Sequence, residues 1–189
     1  GVTMGTYHGC SWRSDGAAYC WGGNNFGQIG DNTTVTRLTA AQVTAVSGVL
    51  QIAAGQYHTC AVLSSTVKCW GLNNYGQIGD GTTTDRSTPV AVSGLSNVNA
   101  IVAGPYHTCA LLSGGTVKCW GANGNGELGD GTTLTRTVPT AVIGLTGVAT
   151  VSSGWHHTCA LLRNGTVVCW GSNAQGQLGD NSISDRLAP

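Results

Sequence analysis

Residues 104–133 read GPYHTCALLSGGTVKCWGANGNGELGDGTT, and the fold of the whole chain turns on this stretch. His107–Leu112 and Thr116–Trp120 are two strand signals separated by Ser113-Gly-Gly115, the composition of a hairpin turn. The following segment, Gly121 to Thr133, is too rich in Gly and Asn to be a strand or a helix and reads as a loop. Upstream lie two further strand signals, Val90–Val92 and Ala100–Ala103. Four short antiparallel strands within about 50 residues have the size of a β-propeller blade.

The stretch recurs. Cysteines stand at 10, 60, 109 and 159 and again at 20, 69, 119 and 169. His8, His58, His107 and His157 keep the same step, as do Trp21, Trp70, Trp120 and Trp170. So do Asp31, Asp80, Asp130 and Asp180, and each copy closes on Arg37, Arg86, Arg136 or Arg186. The eight periodic Asp and Arg residues are half of the 16 acidic and basic side chains, so the charges maintain the repeat rather than build one active site. Self-similarity at this period reads as a repeat array. The expected architecture is all-β: β-propeller-type blades of four antiparallel strands in a single array over 1–189, with units at about 1–38, 39–87, 88–137 and 138–189. A leucine-rich or ankyrin-type solenoid would need a helix or a shorter period.

Composition narrows the function. Eight basic residues against eight acidic give a net charge of zero. A nucleic-acid binder shows a clustered basic excess, which this sequence lacks, so no nucleic-acid partner is expected. No apolar run reaches the length of a membrane span. The 30 glycines disfavour long helices. Starting at Gly1 without a charged and then apolar leader, the sequence reads as a mature or excised segment.

The cysteines form four facing pairs. Folding back His107–Leu112 on Thr116–Trp120 sets Cys109 opposite Cys119, and where the second copy has one residue fewer its turn, Ser64-Ser65, is one residue shorter. Cys10 with Cys20, Cys60 with Cys69, and Cys159 with Cys169 face each other by the same register. Opposed cysteines on an antiparallel pair meet the distance condition for a disulfide. Closing loops of about ten residues contributes roughly 2.5–3 kcal/mol each by chain entropy. This places the chain in an oxidising compartment, extracellular or on a cell surface. The rival reading is metal: His107, Cys109 and Cys119 offer three ligands, but without the spacing of structural zinc sites. No metal or other cofactor is expected.

Other candidates weigh towards structure. Each periodic imidazole is expected to lie buried in its own blade with its nitrogens tied to backbone groups. His156, where other copies carry Tyr57 and Tyr106, reads as a local surface variation. The periodic Asp and Arg bracket a loop and are expected to hydrogen-bond it, and the four periodic Trp to pack between blades. No nucleophile elbow, phosphate loop or zinc-helix motif is present, so no catalytic residue is assigned and no enzyme is expected. Asn32-Thr-Thr34 and Asn164-Gly-Thr166 match the N-glycosylation pattern.

The pattern G-x-x-H-x-C-A-L-L…G-T-V-x-C-W-G-x-N-x-x-G-Q-L-G-D-G-T resembles the repeat of the regulator of chromosome condensation family over nearly the whole chain. The resemblance implies propeller blades, seven to a closed ring. The family includes a nuclear exchange factor for a small GTPase, a plant ultraviolet receptor and a secreted bacterial inhibitor of β-lactamases, so it fixes the fold more firmly than the function. The cysteine pair departs from the nuclear members and fits a bacterial-style secreted variant.

The chain holds about fifteen strands rather than sixteen, so one blade is expected to be incomplete. Three architectures are open: a slice of a longer repeat protein, a compact four-bladed ring, or a subunit whose blades continue into a neighbour. The functional expectation is a non-enzymatic extracellular structural or self-assembling subunit, associating with copies of itself by edge-strand pairing. The alternative is a secreted module that grips another protein through its rim loops.

Overall fold

A computed structural model of the chain describes residues 1–64 and 66–189; Ser65, in the expected hairpin turn of the second copy, lies outside them. The described residues form fifteen strands in four antiparallel sheets. The first comprises β1 (Val2–Met4), β2 (His8–Trp12), β3 (Ala18–Gly22) and β4 (Arg37–Gln42). The second comprises β5 (Gln51–Ala54), β6 (His58–Val62), β7 (Val67–Gly71) and β8 (Arg86–Ala91). In the third are β9 (Val98–Ala103), β10 (His107–Leu112), β11 (Val117–Gly121) and β12 (Arg136–Ala141). The fourth holds β13 (Val148–Ser153), β14 (His157–Leu162) and β15 (Val167–Gly171), with an isolated bridge from Gly171 to Arg186 where the fourth strand of the other blades begins.

The period is the one read from the sequence, but the sheets take a different phase. Boundaries at 38/39, 87/88 and 137/138 fall inside β4, β8 and β12. Of the strand signal at 90–92, placed first in its unit, Val90 and Ala91 belong to β8 and pair with β7 of the preceding blade. A repeat length says nothing about where a sheet starts. That is decided by which neighbour the strand reaches, and Arg86 is brought back against Gly71 by the loop between β7 and β8.

Blades pack face to face, so their middle strands are covered on both sides. All five residues of β6 are buried, whereas the outermost strand β4 has none buried. The core is therefore divided among the blade interfaces. Cys10 and Cys20 of the first blade pack with Ile52, Ala61 and Trp70 of the second. Cys60 and Cys69 pack with Ile101, Ala110 and Trp120 of the third, and Cys109 and Cys119 with Val151, Ala160 and Trp170 of the fourth. The disulfides of the first three blades thus face the tryptophan of the next blade. Polar clasps supplement this packing: Gln51 on β5 donates to Ile101 O at 3.1 Å and accepts from Ile101 N–H at 3.0 Å.

Each blade contains one disulfide, with Cα atoms 4.1 Å apart: Cys10–Cys20, Cys60–Cys69, Cys109–Cys119 and Cys159–Cys169. After the second cysteine the pairing slips, at Trp21, Trp70 and Trp120, and the following glycine adopts φ near 105°. A Cβ on Gly71 would meet the backbone of His58, so this bulge admits only glycine.

Candidate functional site

Strand direction sorts the loops to two ends. The β1–β2 turn and the long β3–β4 loop emerge at one end of a blade, with their counterparts in the other blades. The β2–β3 hairpin and the inter-blade link lie at the other. All the periodic Asp and Arg residues stand at the first end, on what we term the loop face.

An asparagine organises each long loop. Asn73 is fully buried; its Nδ2 donates to Asp80 Oδ1, Thr82 O and Thr84 O, and its Oδ1 accepts from Ile78 N–H at 2.9 Å. Asn24, Asn123 and Asn173 occupy the same place. Asp80 then accepts from the Thr82 amide and hydroxyl and, at 2.8 Å, from Arg86 Nε. Asp31 with Arg37, Asp130 with Arg136, and Asp180 with Arg186 repeat the pair. Partial burial disfavours the Asp80 charge, but bonds from Thr82 and Arg86 outweigh it and hold the carboxyl below its usual range, as they do at Asp31 and Asp130. Asp180 is held lower, at about 2, by bonds from Ser182 and Arg186.

The periodic histidines correct the expectation made for them. Their Nε2 atoms reach the next blade rather than the backbone of their own: His8 to Thr59 Oγ1 at 2.7 Å, His58 to Thr108 at 2.9 Å and His107 to Thr158 at 3.1 Å. The neighbour that matters is about 50 residues away, and no period identifies it. Thr59 donates its only hydroxyl proton to Gln28 O at 2.8 Å, so His8 must be the donor and carry its proton on Nε2. Trp70 Nε1–H donates to the same carbonyl at 2.9 Å. Gln77 O receives Thr108 and Trp120 in the same way, and Glu127 O receives Thr158 and Trp170. His, Thr, Trp and a loop carbonyl thus form one node at each of three interfaces. The Nδ1 atoms of His8 and His58 have no partner. Burial pushes His8 and His107 down to about 4, and His58 to about 3.

Trp70, Trp120 and Trp170 are buried in these interfaces, whereas Trp21, on the first blade, is only half-buried. His157 is also half-buried, and burial lowers its pKa. The metal alternative finds no geometry: His107 is engaged by Thr158, Cys109 and Cys119 are joined, and among the described residues no three His, Cys, Asp or Glu side chains cluster. Asn32 and Asn164 are both exposed, the first on the loop face with φ 64° and the second in the β14–β15 hairpin.

His156 is not an isolated surface variation. Its Nδ1 lies 3.0 Å from Oε1 of Glu127, a residue of the third blade that is 1% exposed. Glu127 also accepts from Asn125 N–H and Nδ2–H. The other copies carry Gln28, Gln77 and Gln177 here, so both partners depart from the repeat and the departures meet. Comparing His156 with Glu127 across blades was the one sequence signal for this contact. Aromatic side chains also collect on the loop face: Tyr7 stacks on Tyr57 at 4.9 Å, Phe26 abuts Tyr57 edge-on, and Tyr75 meets Tyr106.

Two family models match the chain, both described as the Regulator of chromosome condensation (RCC1) repeat. One covers residues 15–62, 66–111 and 114–161, and the other 49–77, 98–127 and 148–177. Among solved structures, yeast RCC1 (Prp20) bound to Kap60 matches at 22% identity and a TM-score of 0.87, over 100% of this chain and 47% of that one. Human WBSCR16 matches at 26% and 0.89, over 100% and 51%. Prp20p from Saccharomyces cerevisiae, described with its binding properties to Gsp1p and histones, matches at 22% and 0.86, over 100% and 49%. The chain spans about half the length of these structures.

Proposed function

Since the chain belongs to the regulator of chromosome condensation repeat family, a propeller family, we propose that it is a non-enzymatic, extracellular binding module that grips a protein partner through its loop face. The supporting observation is how the periodic polar residues are used. His8, His58 and His107 are tied to the next blade's threonine, and the periodic Asn, Asp and Arg are tied up in the loop hubs. What varies on the loop face are the exposed loop tips and the residues just before each histidine. Family propellers serve as binding or regulatory modules. Of the yeast structures similar to this chain in fold, one is RCC1 (Prp20) bound to Kap60 and another is Prp20p, described with its binding properties to Gsp1p and histones. The four disulfides are consistent with an extracellular setting.

Self-assembly into a structural subunit is the second reading, favoured by the recurrence of Gly-Asp-Gly-Thr-Thr at 79–83 and 129–133. Electron microscopy of the unreduced protein separates the two. Discrete particles that retain a partner, and lose it when Thr83 and Thr133 are changed to Lys, support the binding module. Regular filaments overturn it.

A further inference from the structure

Tyr7 and Tyr57 hold the same place in the first two blades, one residue before His8 and His58. Their rings stack with centroids 4.9 Å apart and planes 13° from parallel. The backbone beneath them is fixed. Gly23 N–H donates to Tyr7 O at 2.8 Å and Leu72 N–H to Tyr57 O at 2.9 Å, which pins each tyrosine to its own blade. Thr6 N–H donates to Gly55 O at 3.3 Å, and a Cβ on Gly5 would collide with the same carbonyl, so the two turns lie in direct contact.

Equivalent positions of a repeat send their side chains the same way, so the two phenols point in one direction. The adjoining Tyr7 hydroxyl is the main cause that raises the Tyr57 phenol above its ordinary pKa, which agrees with oxygen lying beside oxygen. In such a head-to-head stack the carbons ortho to the two oxygens face each other, and these carbons carry much of the unpaired spin of a phenoxyl radical. The other aromatic contacts lack this geometry. Tyr75 meets Tyr106 at 5.5 Å and 68°, edge to face, and Phe26, at 68° to Tyr57, has no phenol. Tyr7 is 51% exposed, so the pair is open to a reagent in solution. The four disulfides each close within one blade, and none crosses a blade interface.

We propose that Tyr7 and Tyr57 form a cross-linking site at which a peroxide, acting through a one-electron oxidant such as a haem peroxidase, ties the first blade to the second. Each phenol loses one electron and its hydroxyl proton, giving two phenoxyl radicals. Their unpaired electrons combine in a new C–C bond between the facing ortho carbons. The hydrogen on each of these carbons then leaves as a proton while a proton returns to each oxygen, restoring both aromatic rings and both hydroxyls. The protein has lost two hydrogens, and hydrogen peroxide, having taken two electrons and two protons, becomes two waters. The site goes beyond the protein-binding reading and stands whether or not that reading holds.

The test is oxidation of the unreduced protein, at micromolar concentration, by hydrogen peroxide with a haem peroxidase. Intact mass, dityrosine fluorescence and peptide mapping are the readouts. The expected product is a monomer lighter by two hydrogens, with residues 7 and 57 joined. Because the rings are held together before they react, its yield should not fall on about tenfold dilution, whereas coupling between molecules does. Tyr57→Phe keeps the stacked ring but has no phenol to oxidise, and should abolish the product. Tyr75→Phe should leave it unchanged. A monomer without the link overturns the proposal, as does coupling found only between molecules. So does a yield indifferent to Tyr57→Phe, or coupling of Tyr75 with Tyr106 as readily as of Tyr7 with Tyr57.

Discussion

Lowering the pH from about 7.5 to about 5 protonates histidines in the unfolded chain while His8, His58 and His107 stay neutral in the folded one, held at about 4, 3 and 4 by burial. A base whose folded pKa is depressed favours the unfolded state as the pH falls through its ordinary value of 6.5, and stability is lost from there down to the folded value. Between pH 6.5 and 5 the unfolded chain gains about 1.5 pH units of proton binding per site, worth about 2 kcal/mol each. The three sites together remove about 6 kcal/mol, comparable with the whole net stability of an ordinary domain. Half-buried His157 adds in the same direction. The loop aspartates act separately: their depressed pKa values place the stability they supply above the ordinary carboxylate range, and it is lost only in more acidic solution. The assay is guanidinium unfolding of the disulfide-intact protein followed by circular dichroism across this window. His58→Gln should reduce the pH dependence by about one third, whatever it does to absolute stability. A midpoint that does not move between pH 7.5 and 5 would refute the buried neutral node, and so would an unchanged slope in His58→Gln.

Three further outcomes are expected. The unreduced protein in denaturant should show no titratable thiol, and joint Cys60→Ser and Cys69→Ser substitution should cost about 2–3 kcal/mol by chemical denaturation. Asn73→Ala strands the Ile78 amide and the carbonyls of Thr82 and Thr84; it should cost about 3 kcal/mol and raise hydrogen exchange in that loop alone. Thr108→Val removes both the acceptor of His58 and a donor to Gln77 O, and should cost about 2 kcal/mol in thermal or chemical unfolding.

The blade was legible because its determinants are local: alternation, a hairpin turn and facing cysteines all act within some 20 residues, and repetition states them four times. The loop hub at Asn73 was legible in principle, since its asparagine recurs in step with Trp70, but only the loop's curled path shows that one amide ties four backbone and side-chain groups. The blade phase was not legible, because strand pairing depends on which edge a loop returns to.

By itself the sequence determined the repeat length, the all-β class, the facing cysteines and the neutral surface, since each is a property of one chain segment. Only the tertiary structure decided what lies between segments of different blades: His58 donating to Thr108, the first three disulfides facing the next blade's tryptophan, and Glu127 meeting His156. It also stacked Tyr7 on Tyr57, because turns spaced a full repeat apart become neighbours only when the blades stack side by side.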